Sequence, residues 1–419
     1  MCHKNKTAQR YNEELTSKVK ELAKSKGAEL VGIAPVKRFK NAPLTLSPQG
    51  LLPTAKSVVV VGIYFLDASM ELMEKEWRLH EFDLYGQNQS GTGMNNRLDS
   101  IGFHLARFIE NYGYKSLPIS ASNVWKFRPD KNIDHPFAPD LVHRYAAVAA
   151  GLGEIGWSGL FLSPQYGPRQ RLNSVVTEAP LEPTPMYSGP PLCDKCMECV
   201  KNCPVDAFRK GVKKINKLEI GRKIFKFPDI NKWRCIWASF DMLVPPLPEK
   251  ANEKVFLELL AKYGNRGGDT GNCIYVCVPP HLRYKDKNYS RTYRRKRQIT
   301  KISSSKITEK AREKVLEAGI DYLAIGSPDD FTKKNIDLRQ YLPDVRSIVV
   351  IGMHFSDNLT RDASSYRLTR LVFDLTHLFQ DLGYSSLGKT LFPEHLAAVT
   401  LGLATFEKSV DLARLEKGG

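Results

Sequence analysis

Several features are missing from this sequence. No run of about 18 consecutive apolar residues occurs, so a membrane-spanning helix is not expected. The first residues, MCHKNKTAQRYNEELTSK, lack the apolar stretch of an export signal. Only one of the eight cysteines, Cys2, lies outside the motifs described below, which excludes a disulfide framework. Together these absences predict a cytoplasmic protein in a reducing compartment.

Acidic residues are too few to balance the basic ones. The chain has 45 Asp and Glu against 62 Lys and Arg, which gives a formal net charge of +17. Such a surface attracts an acidic protein or a polyanion such as tRNA. Its densest basic run, RTYRRKR at 291–297, is expected to be a solvated linker; a nucleic-acid contact is the alternative. No zinc-finger or RNA-recognition signature supports that alternative.

A cysteine run dominates what is present. The stretch LCDKCMECVKNCPVDAF has the spacing C-x2-C-x2-C-x3-C-P, formed by Cys193, Cys196, Cys199 and Cys203. In ferredoxin-type modules the first three thiolates bind one 4Fe–4S cube and the fourth binds a second cluster. A zinc site is the alternative, but zinc favours paired C-x2-C motifs. The run therefore predicts one-electron transfer.

The other cysteines suggest how two clusters share their ligands. Cys277 would complete the first cube, and Cys203, Cys235 and Cys273 would hold the second cluster. A regular second motif would have another cysteine three residues before Cys273, where Thr270 stands. That corner is then open, bound by water, or held by Asp269 or Thr270, or it is lost, leaving a 3Fe–4S cluster. A single cluster with spare cysteines is the remaining alternative.

An internal repeat predicts the fold. LPTAKSVVVVG at 52–62 matches LPDVRSIVVIG at 342–352, and flanking segments match in the same order. Each copy has the pattern of a helix, two strands, an amphipathic helix and a small-residue helix. We therefore predict an α/β lobe that occurs twice.

The repeat and the cysteines divide the chain into four parts. They are a first lobe (1–190), a ferredoxin-like iron–sulfur domain (191–285), a basic linker (286–301) and a degenerate second lobe (302–419). The second copy lacks the long segments that follow the amphipathic helix of the first copy. Function is therefore assigned to the first lobe, and the second is expected to be structural, with a homodimer contact as its suggested role.

A small-residue turn and an arginine-bearing turn mark a candidate ligand site in the first lobe. Small residues let a backbone approach a ligand closely, and guanidinium groups hold phosphates or carboxylates. The candidates are Gly151, Gly153, Gly156, Ser158, Tyr166, Arg169 and Arg171. The alternatives are tight packing of the glycines and surface positions for the arginines.

Taken together, these motifs resemble those of the cobalamin-dependent iron–sulfur reductases, the epoxyqueuosine reductases and reductive dehalogenases. The resemblance covers roughly residues 15–280, including HRYAAVAAGLGEIGWSGLFLSPQYGPRQRLNSVVTEAPLEP and the cysteine run. It implies a nitroreductase-like lobe binding base-off cobalamin beside two clusters. Reduced ferredoxin or flavodoxin would supply electrons, and the candidate turns would line the corrinoid.

The sequence departs from both activities. The epoxyqueuosine reductases carry a catalytic Asp in a V-D-[ST]-x-P stretch, and the counterpart PISASN has none. Asp134, His143 and Tyr145 are the candidate proton donors. Two hypotheses therefore remain: a corrinoid-dependent reductase, with tRNA as one candidate substrate carrier, and a cluster-only electron-transfer or reductive-activation protein acting on a protein partner.

Overall fold

A computed structural model describes most of the chain. The described residues are 11–71, 93–121, 139–209, 214–239, 252–263, 271–286, 292–296, 300–353, 361–388 and 394–403. Helices and strands are mixed along the chain, as expected for the α/β class. Within the described residues, no helix has the length and apolarity needed to cross a membrane.

The first lobe is built on a four-stranded antiparallel sheet with the order β1-β2-β6-β3. Its strands are β1 (Leu30–Pro35), β2 (Ser57–Tyr64), β3 (Ser116–Ile119), and β6 (Gln170–Thr177), with a separate pair of β4 (Glu154–Ile155) and β5 (Phe161–Leu162). The β-branched run of β2 is buried along its whole length because helices cover both faces of the sheet.

Five helices surround this sheet: α1 (Glu13–Ser25), α2 (Pro48–Leu51), α3 (Asp67–Glu71), α4 (Met94–Glu110) and α5 (His143–Ala149). Short 3₁₀ turns lie at Val36–Phe39 and Leu44–Leu46. The apolar stripe of α4 buries Leu98, Ile101 and Leu105 against one core. The alanines of α5 pack into a second core on the opposite face. Functional side chains at the ends of β2, β6 and α5 are therefore held by rigid elements.

The cysteine-bearing region follows as short elements around its own small cores. They are α6 (Glu198–Lys201), β7 (Ile215–Ile220), β8 (Lys223–Pro228), α7 (Lys232–Ser239), α8 (Glu253–Tyr263), α9 (Asn272–Val276), β9 (Arg283–Lys285) and β10 (Tyr293–Arg295). Trp237 of α7 is fully buried, and its ring meets the edge of Phe256 at 6.3 Å between centroids. Trp237 and Phe256 belong to a small hydrophobic core against which Cys203 and Cys235 pack.

The basic run does not form a solvated connector where it is described. β10 pairs with β9, Arg294 is buried, Arg295 is half-buried, and both form ion pairs. Arg294 binds Glu71 at 3.2 Å, and Arg295 binds Asp67 at 2.8 Å. The expectation was wrong here because α3 buries two carboxylates that require cations, and their position cannot be read from the local composition.

The C-terminal region contains α10 (Ser304–Glu317), β11 (Tyr322–Gly326), α11 (Pro328–Thr332), β12 (Ile348–Gly352), α12 (Arg361–Asp381) and α13 (Glu394–Thr400), with a 3₁₀ turn at Leu338–Gln340. β11 and β12 are antiparallel, as β1 and β2 are. The internal repeat of the first lobe, and a homodimer contact through the region, stay predictions.

The long helix α12 packs directly on the first lobe. Phe373 lies in the core beneath the first sheet. Asp381 accepts a 2.6 Å hydrogen bond from the Tyr64 hydroxyl, and Gln380 accepts one from the backbone N–H of Asp67 at 2.8 Å. Arg97 of α4 binds Asp374 at 2.5 Å. The C-terminal region therefore completes the hydrophobic core of the first lobe.

Candidate iron–sulfur centres

Four thiols converge around the first half of the cysteine motif. Cys199 lies in α6, Cys277 directly follows α9, and these two short helices pack together. The pKa of Cys199 is raised to about 11, by burial first and then by the neighbouring Cys193 and Cys196. Burial also raises the pKa of Cys277, with additional effects from the same three cysteines. All four thiols line one cavity, so they lie close enough to share one centre.

The other three thiols form a second group. The pKa of Cys235 is raised to about 11, by burial first and by Cys203 second. The pKa of Cys273 is raised by burial first and then by Cys235, Cys199, Cys203 and Cys277, so Cys273 lies near cysteines of both groups. Cys203 packs with Cys235 in one small hydrophobic cluster and with Cys273 in another. The division of the seven cysteines between two clusters stays a prediction. Asp269 and Thr270, the candidates for the missing corner, lie outside the described residues.

The backbone around the cysteines has features that favour negatively charged sulfur. Lys195 and Met197 have left-handed φ angles of 56° and 66°, which are rare for residues with side chains. The N–H of Trp157 donates to the Cys193 sulfur at 3.3 Å, and the N–H of Ala207 donates to the Cys203 sulfur at 3.3 Å. Hydrogen bonds to sulfur stabilise cluster thiolates and tune their potentials. Donor set, loop shape and hydrogen bonds therefore fit iron–sulfur clusters.

A single metal ion is a poorer fit. Among the described residues, no three His, Cys, Asp or Glu side chains converge in the way one ion requires. Zinc–sulfur bonds of about 2.3 Å demand close convergence of the ligands. A cube binds each thiolate at a different iron, so it accepts thiols that are farther apart.

The small-residue turn contributes to the first centre. Gly156, Trp157 and Ser158 line a cavity together with the thiols of the first group and Arg283. Lys195 lies 5.3 Å from the Trp157 ring centroid. Gly156 and Ser158, predicted to contact a corrinoid, therefore lie beside the cysteines. Sequence reasoning missed Trp157, whose backbone contact has no sequence signal.

At the other two glycines, Gly151 and Gly153, the space that a side chain would need is filled by protein backbone. A Cβ atom on Gly151 would lie 2.0 Å from the carbonyl oxygen of Pro185, and one on Gly153 would lie 1.9 Å from that of Leu162. These are backbone contacts, so no side-chain movement relieves them. Close packing between segments, the alternative considered from the sequence, explains both glycines here.

We expect Gly151→Ala to destabilise the protein by about 2 kcal/mol more than Gly27→Ala. Both glycines have a positive φ, 77° and 94°, so both variants carry the left-handed strain of about 1–2 kcal/mol. Only Gly151 adds the clash with Pro185, because nothing lies within 4 Å of a Cβ at Gly27. Urea unfolding of the two variants measures the difference; equal losses would contradict the packing role.

Arg169 is committed to the protein interior. Its side chain is 1% exposed. One Nη donates to Asp67 at 2.9 Å and the other to the carbonyl of Tyr275 at 2.8 Å. Tyr275 lies between Cys273 and Cys277, so Arg169 ties β6 to the cysteine-bearing helix α9. Its positive charge also lowers the pKa of Cys277, against the larger effect of burial.

The remaining residues of the arginine-bearing turn are partly buried. Tyr166 stacks on Tyr64 with 4.5 Å between ring centroids, and the Arg295 guanidinium lies 5.4 Å from its ring. Arg171 is half-buried in β6, opposite Ile63. Burial raises the pKa of Tyr166 well above its ordinary value, which keeps its hydroxyl protonated.

The candidate proton donors differ in their surroundings. The Nε2 of His143 lies 2.8 Å from the Ser120 carbonyl, which can only accept, and its Nδ1 lies 2.8 Å from the Ser174 hydroxyl. Burial lowers the pKa of His143, so the ring is a neutral tether between α5, β6 and the end of β3. Tyr145 is half-buried against the second core. Asp134 lies outside the described residues.

The fit to a corrinoid is poor at the positions chosen from the sequence. Gly151 and Gly153 are covered by backbone, and the guanidinium of Arg169 is held by Asp67 and Tyr275. These residues, as placed here, do not form the open surface that a large planar ligand needs. Cobalamin binding therefore stays a prediction that these three residues do not support.

Comparison with known proteins identifies relatives of two kinds. The chain is 24% identical over 298 residues to a tetrachloroethene reductive dehalogenase of Sulfurospirillum multivorans, covering 63% of this chain and 50% of that protein. It is 26% identical over 173 residues to an epoxyqueuosine reductase of Lactococcus garvieae, covering 40% and 43%. The chain thus spans about half the length of these relatives or less. No protein-family model matches it.

Solved structures of the same two kinds are similar to part of the chain. A catabolic reductive dehalogenase in complex with 3-bromo-4-hydroxybenzoic acid has 16% identity and a TM-score of 0.41, over 65% of this chain and 32% of that one. A selenomethionine-labelled epoxyqueuosine reductase has 19% identity and a TM-score of 0.38, over 64% and 65%. The relationship rests on the sequence matches. They support the resemblance drawn from the motifs: the chain is similar in sequence to epoxyqueuosine reductases and to reductive dehalogenases.

Proposed function

We propose that the chain is an iron–sulfur oxidoreductase of the epoxyqueuosine reductase or reductive dehalogenase kind. The observation that carries the proposal is a cavity lined by four thiols, with three further cysteines, Cys203, Cys235 and Cys273, packed in the small hydrophobic clusters beside it. The sequence relatives are reductases by name, which supports the same reaction class.

The two groups would hold two clusters. Bound iron–sulfur clusters supply one-electron transfer. The ligands of the first would be Cys193, Cys196, Cys199 and Cys277, and those of the second Cys203, Cys235 and Cys273. The type of the second cluster, 4Fe–4S or 3Fe–4S, depends on what fills the corner near Thr270.

The protein's own residues would protect and charge-balance these centres. The backbone N–H groups of Trp157 and Ala207 donate to sulfur. Arg283 forms a bidentate pair with Asp194, with both N–O distances at 3.0 Å, and fixes the loop between the first two ligands. Burial raises the pKa values of Cys273 and Cys277, so without bound iron both would be protonated thiols at neutral pH.

Single-cysteine variants test the two-centre arrangement. We expect Cys199→Ala and Cys235→Ala each to lose about one cluster of iron and sulfide, and each to lose a different EPR signal after reduction, because their ligands belong to different groups. Protein produced without oxygen is analysed for iron, sulfide and EPR. Cys2→Ser, outside both motifs, is the control. The same signal missing from both variants would show one centre, against the proposal.

The substrate would be an oxidised carbon centre, with a carbon–halogen bond or an epoxide as the two classes suggested by the relatives' names. The net charge of +17 makes a tRNA-borne epoxide one candidate. An external donor of the reduced ferredoxin or flavodoxin type would supply electrons, and base-off cobalamin would be the site of reduction if the family chemistry applies. His143 is internally bonded, so Tyr145 and Asp134 remain the proposed proton donors.

A second function is favoured by the poor corrinoid fit. Because Gly151, Gly153 and Arg169 are taken up by packing and ion pairing, the chain could use its clusters alone, to transfer electrons to a protein partner or to reactivate it. Corrinoid content of protein made without oxygen in the presence of cobalamin separates the two. Near one corrinoid per chain supports the reductase. Iron for two clusters without corrinoid supports the electron-transfer protein.

A further inference from the structure

A two-stranded hairpin, β7–β8, emerges from the second group of cysteines. In sequence it lies between Cys203 and Cys235. One of its faces packs on the second core of the first lobe through Ile220, Phe225 and Phe227. On the same side, Lys223 pairs with Glu154 at 2.8 Å. The hairpin is therefore held firmly by this inner face.

The outer face is basic. Lys217 and Lys226 are exposed on this face, Arg222 is exposed at the turn, and Glu219 is the single exposed acidic residue between them, so the face carries +3 − 1 = +2. Within the described part of the chain, none of these three cations has a carboxylate partner within salt-bridge distance, in contrast to Lys223 on the inner face. We call this set, with the isoleucines described next, the hairpin face.

The cross-strand register brings like charges together. Lys217 stands directly opposite Lys226. Like charges directly opposite each other on one face destabilise a sheet. Beside them, Ile215 and Ile224 are 52% and 53% exposed. A pair of cations without a salt bridge, next to exposed aliphatic side chains, is the composition of a surface that an acidic partner would cover.

The base of the hairpin touches the loop of the second centre. The N–H of Asp229 donates to the Lys214 carbonyl at 2.9 Å, and that of Asn231 donates to the Ala207 carbonyl at 2.9 Å. Ala207 in turn donates its own N–H to the Cys203 sulfur at 3.3 Å. A partner bound on the hairpin face would therefore lie near the second group of cysteines.

From this placement we propose that the hairpin face docks an acidic redox protein that donates electrons to the centre held by Cys203, Cys235 and Cys273. The proposal rests on the proposed function, because it requires that centre to carry a cluster. In each encounter the donor is oxidised by one electron and the cluster is reduced by one. No bond forms or breaks, and no proton needs to move.

A protein fits this face better than RNA. Sequence-tolerant binding of single-stranded nucleic acid uses aromatic side chains on which bases stack. The exposed residues of the hairpin face are lysines, one arginine, isoleucines and Glu219, without an aromatic ring. Exposed aliphatic side chains among cations suit an acidic protein surface with an apolar centre.

Charge reversal tests the proposal on the full-length, cluster-loaded protein. The variant carries Lys217→Glu and Lys226→Glu; a milder variant carries Gln at both positions. The control carries Lys306→Glu and Lys310→Glu, two exposed lysines on α10 with the same change of charge. Stopped-flow absorbance follows cluster reduction by an acidic plant-type ferredoxin, and, separately, by photoreduced deazariboflavin, an uncharged small reductant.

At low ionic strength we expect the Glu variant to lose at least about tenfold in the second-order rate with ferredoxin, and the Gln variant to lose less. High salt should bring the Glu variant close to the parent. The control and all rates with deazariboflavin should stay unchanged. Equal ferredoxin rates in variant and parent, or an equal loss in the control, would overturn the docking site.

Two other results would contradict either the docking site or the proposed function. Loss of tRNA binding by the Glu variant with an unchanged ferredoxin rate would assign the face to RNA, against the proposal. If the parent contains no iron or is not bleached by deazariboflavin, the proposed function itself fails. That result is distinct from a parent that is reduced normally while its hairpin variants show no defect.

Discussion

Arg169→Ala should lower the free energy of unfolding by about 3–5 kcal/mol and reduce bound iron by about one cluster. The guanidinium is buried against Asp67, which also binds Arg295, so the loss removes one of two cations from a buried carboxylate. It also leaves the carbonyl of Tyr275 without its donor and removes a positive charge that favours the Cys277 thiolate. The lost hydrogen bond to Tyr275 and the lost positive charge both affect the segment that carries Cys273 and Cys277.

Urea unfolding and iron analysis after gel filtration measure the two losses. Arg169→Lys keeps the charge but cannot reach both partners in the same planar geometry, so its iron loss should be smaller. Arg107→Ala, on the exposed side of α4, is the surface control and should change stability by no more than about 0.5 kcal/mol. If Arg169→Ala and Arg107→Ala had the same iron content and the same stability, the proposed link from Arg169 to Asp67 and Tyr275 would be refuted.

Arg169 shows the limit of prediction from sequence. Its position in the YGPRQR segment predicts a ligand-binding arginine, and the family resemblance implies a corrinoid as the ligand. What decides its role is burial beside Asp67, more than 100 residues away in sequence. No local pattern reports such a partner. The cysteines differ from Arg169, because their spacing is a local pattern that predicts which thiols share a centre, and four of these thiols line one cavity.

The same distinction applies to the elements. The apolar run of β2 and the stripe of α4 identify a buried strand and an amphipathic helix, since periodicity is local. The burial of Arg294 and the packing of α12 depend on which distant surfaces meet. The local composition therefore predicts solvent exposure for the basic run, whereas Arg294 is buried. Phe373 and Asp381 make the C-terminal region part of the core of the first lobe rather than an appended unit, so its removal should expose apolar surface there.

Glu29→Gln should stabilise the protein at alkaline pH. Glu29 precedes β1 and is largely buried, and its Oε2 has no hydrogen-bond partner among the described residues. Its pKa is raised from 4.5 to about 8, by burial first and by the nearby carboxylate of Asp381 second, against a smaller lowering by Arg97. Tyr64, whose hydroxyl binds Asp381, lies in the same cluster. A neutral amide resembles the protonated carboxyl that this site prefers.

The sign of the pH dependence follows from proton binding. Between pH 4.5 and 8 the folded state keeps a proton on Glu29 that the unfolded state has released. The contribution of Glu29 to stability is therefore complete below pH 4.5 and is lost as the pH rises toward 8, by about 1.4 kcal/mol per unit and about 4–5 kcal/mol in total. The Gln variant has no such loss.

Urea unfolding of parent and variant at several pH values between about 5 and 9 isolates this effect, because the buried His143 and His377 titrate in both proteins and cancel in the difference. The two should be nearly equal in stability at pH 5, and the variant should be more stable by about 4 kcal/mol at pH 9. Glu21→Gln, exposed on α1, is the control. A difference that does not change with pH would mean that Glu29 is charged in the folded protein. The contact between β1, β2 and α12 would then have to contain a compensating cation closer than Arg97.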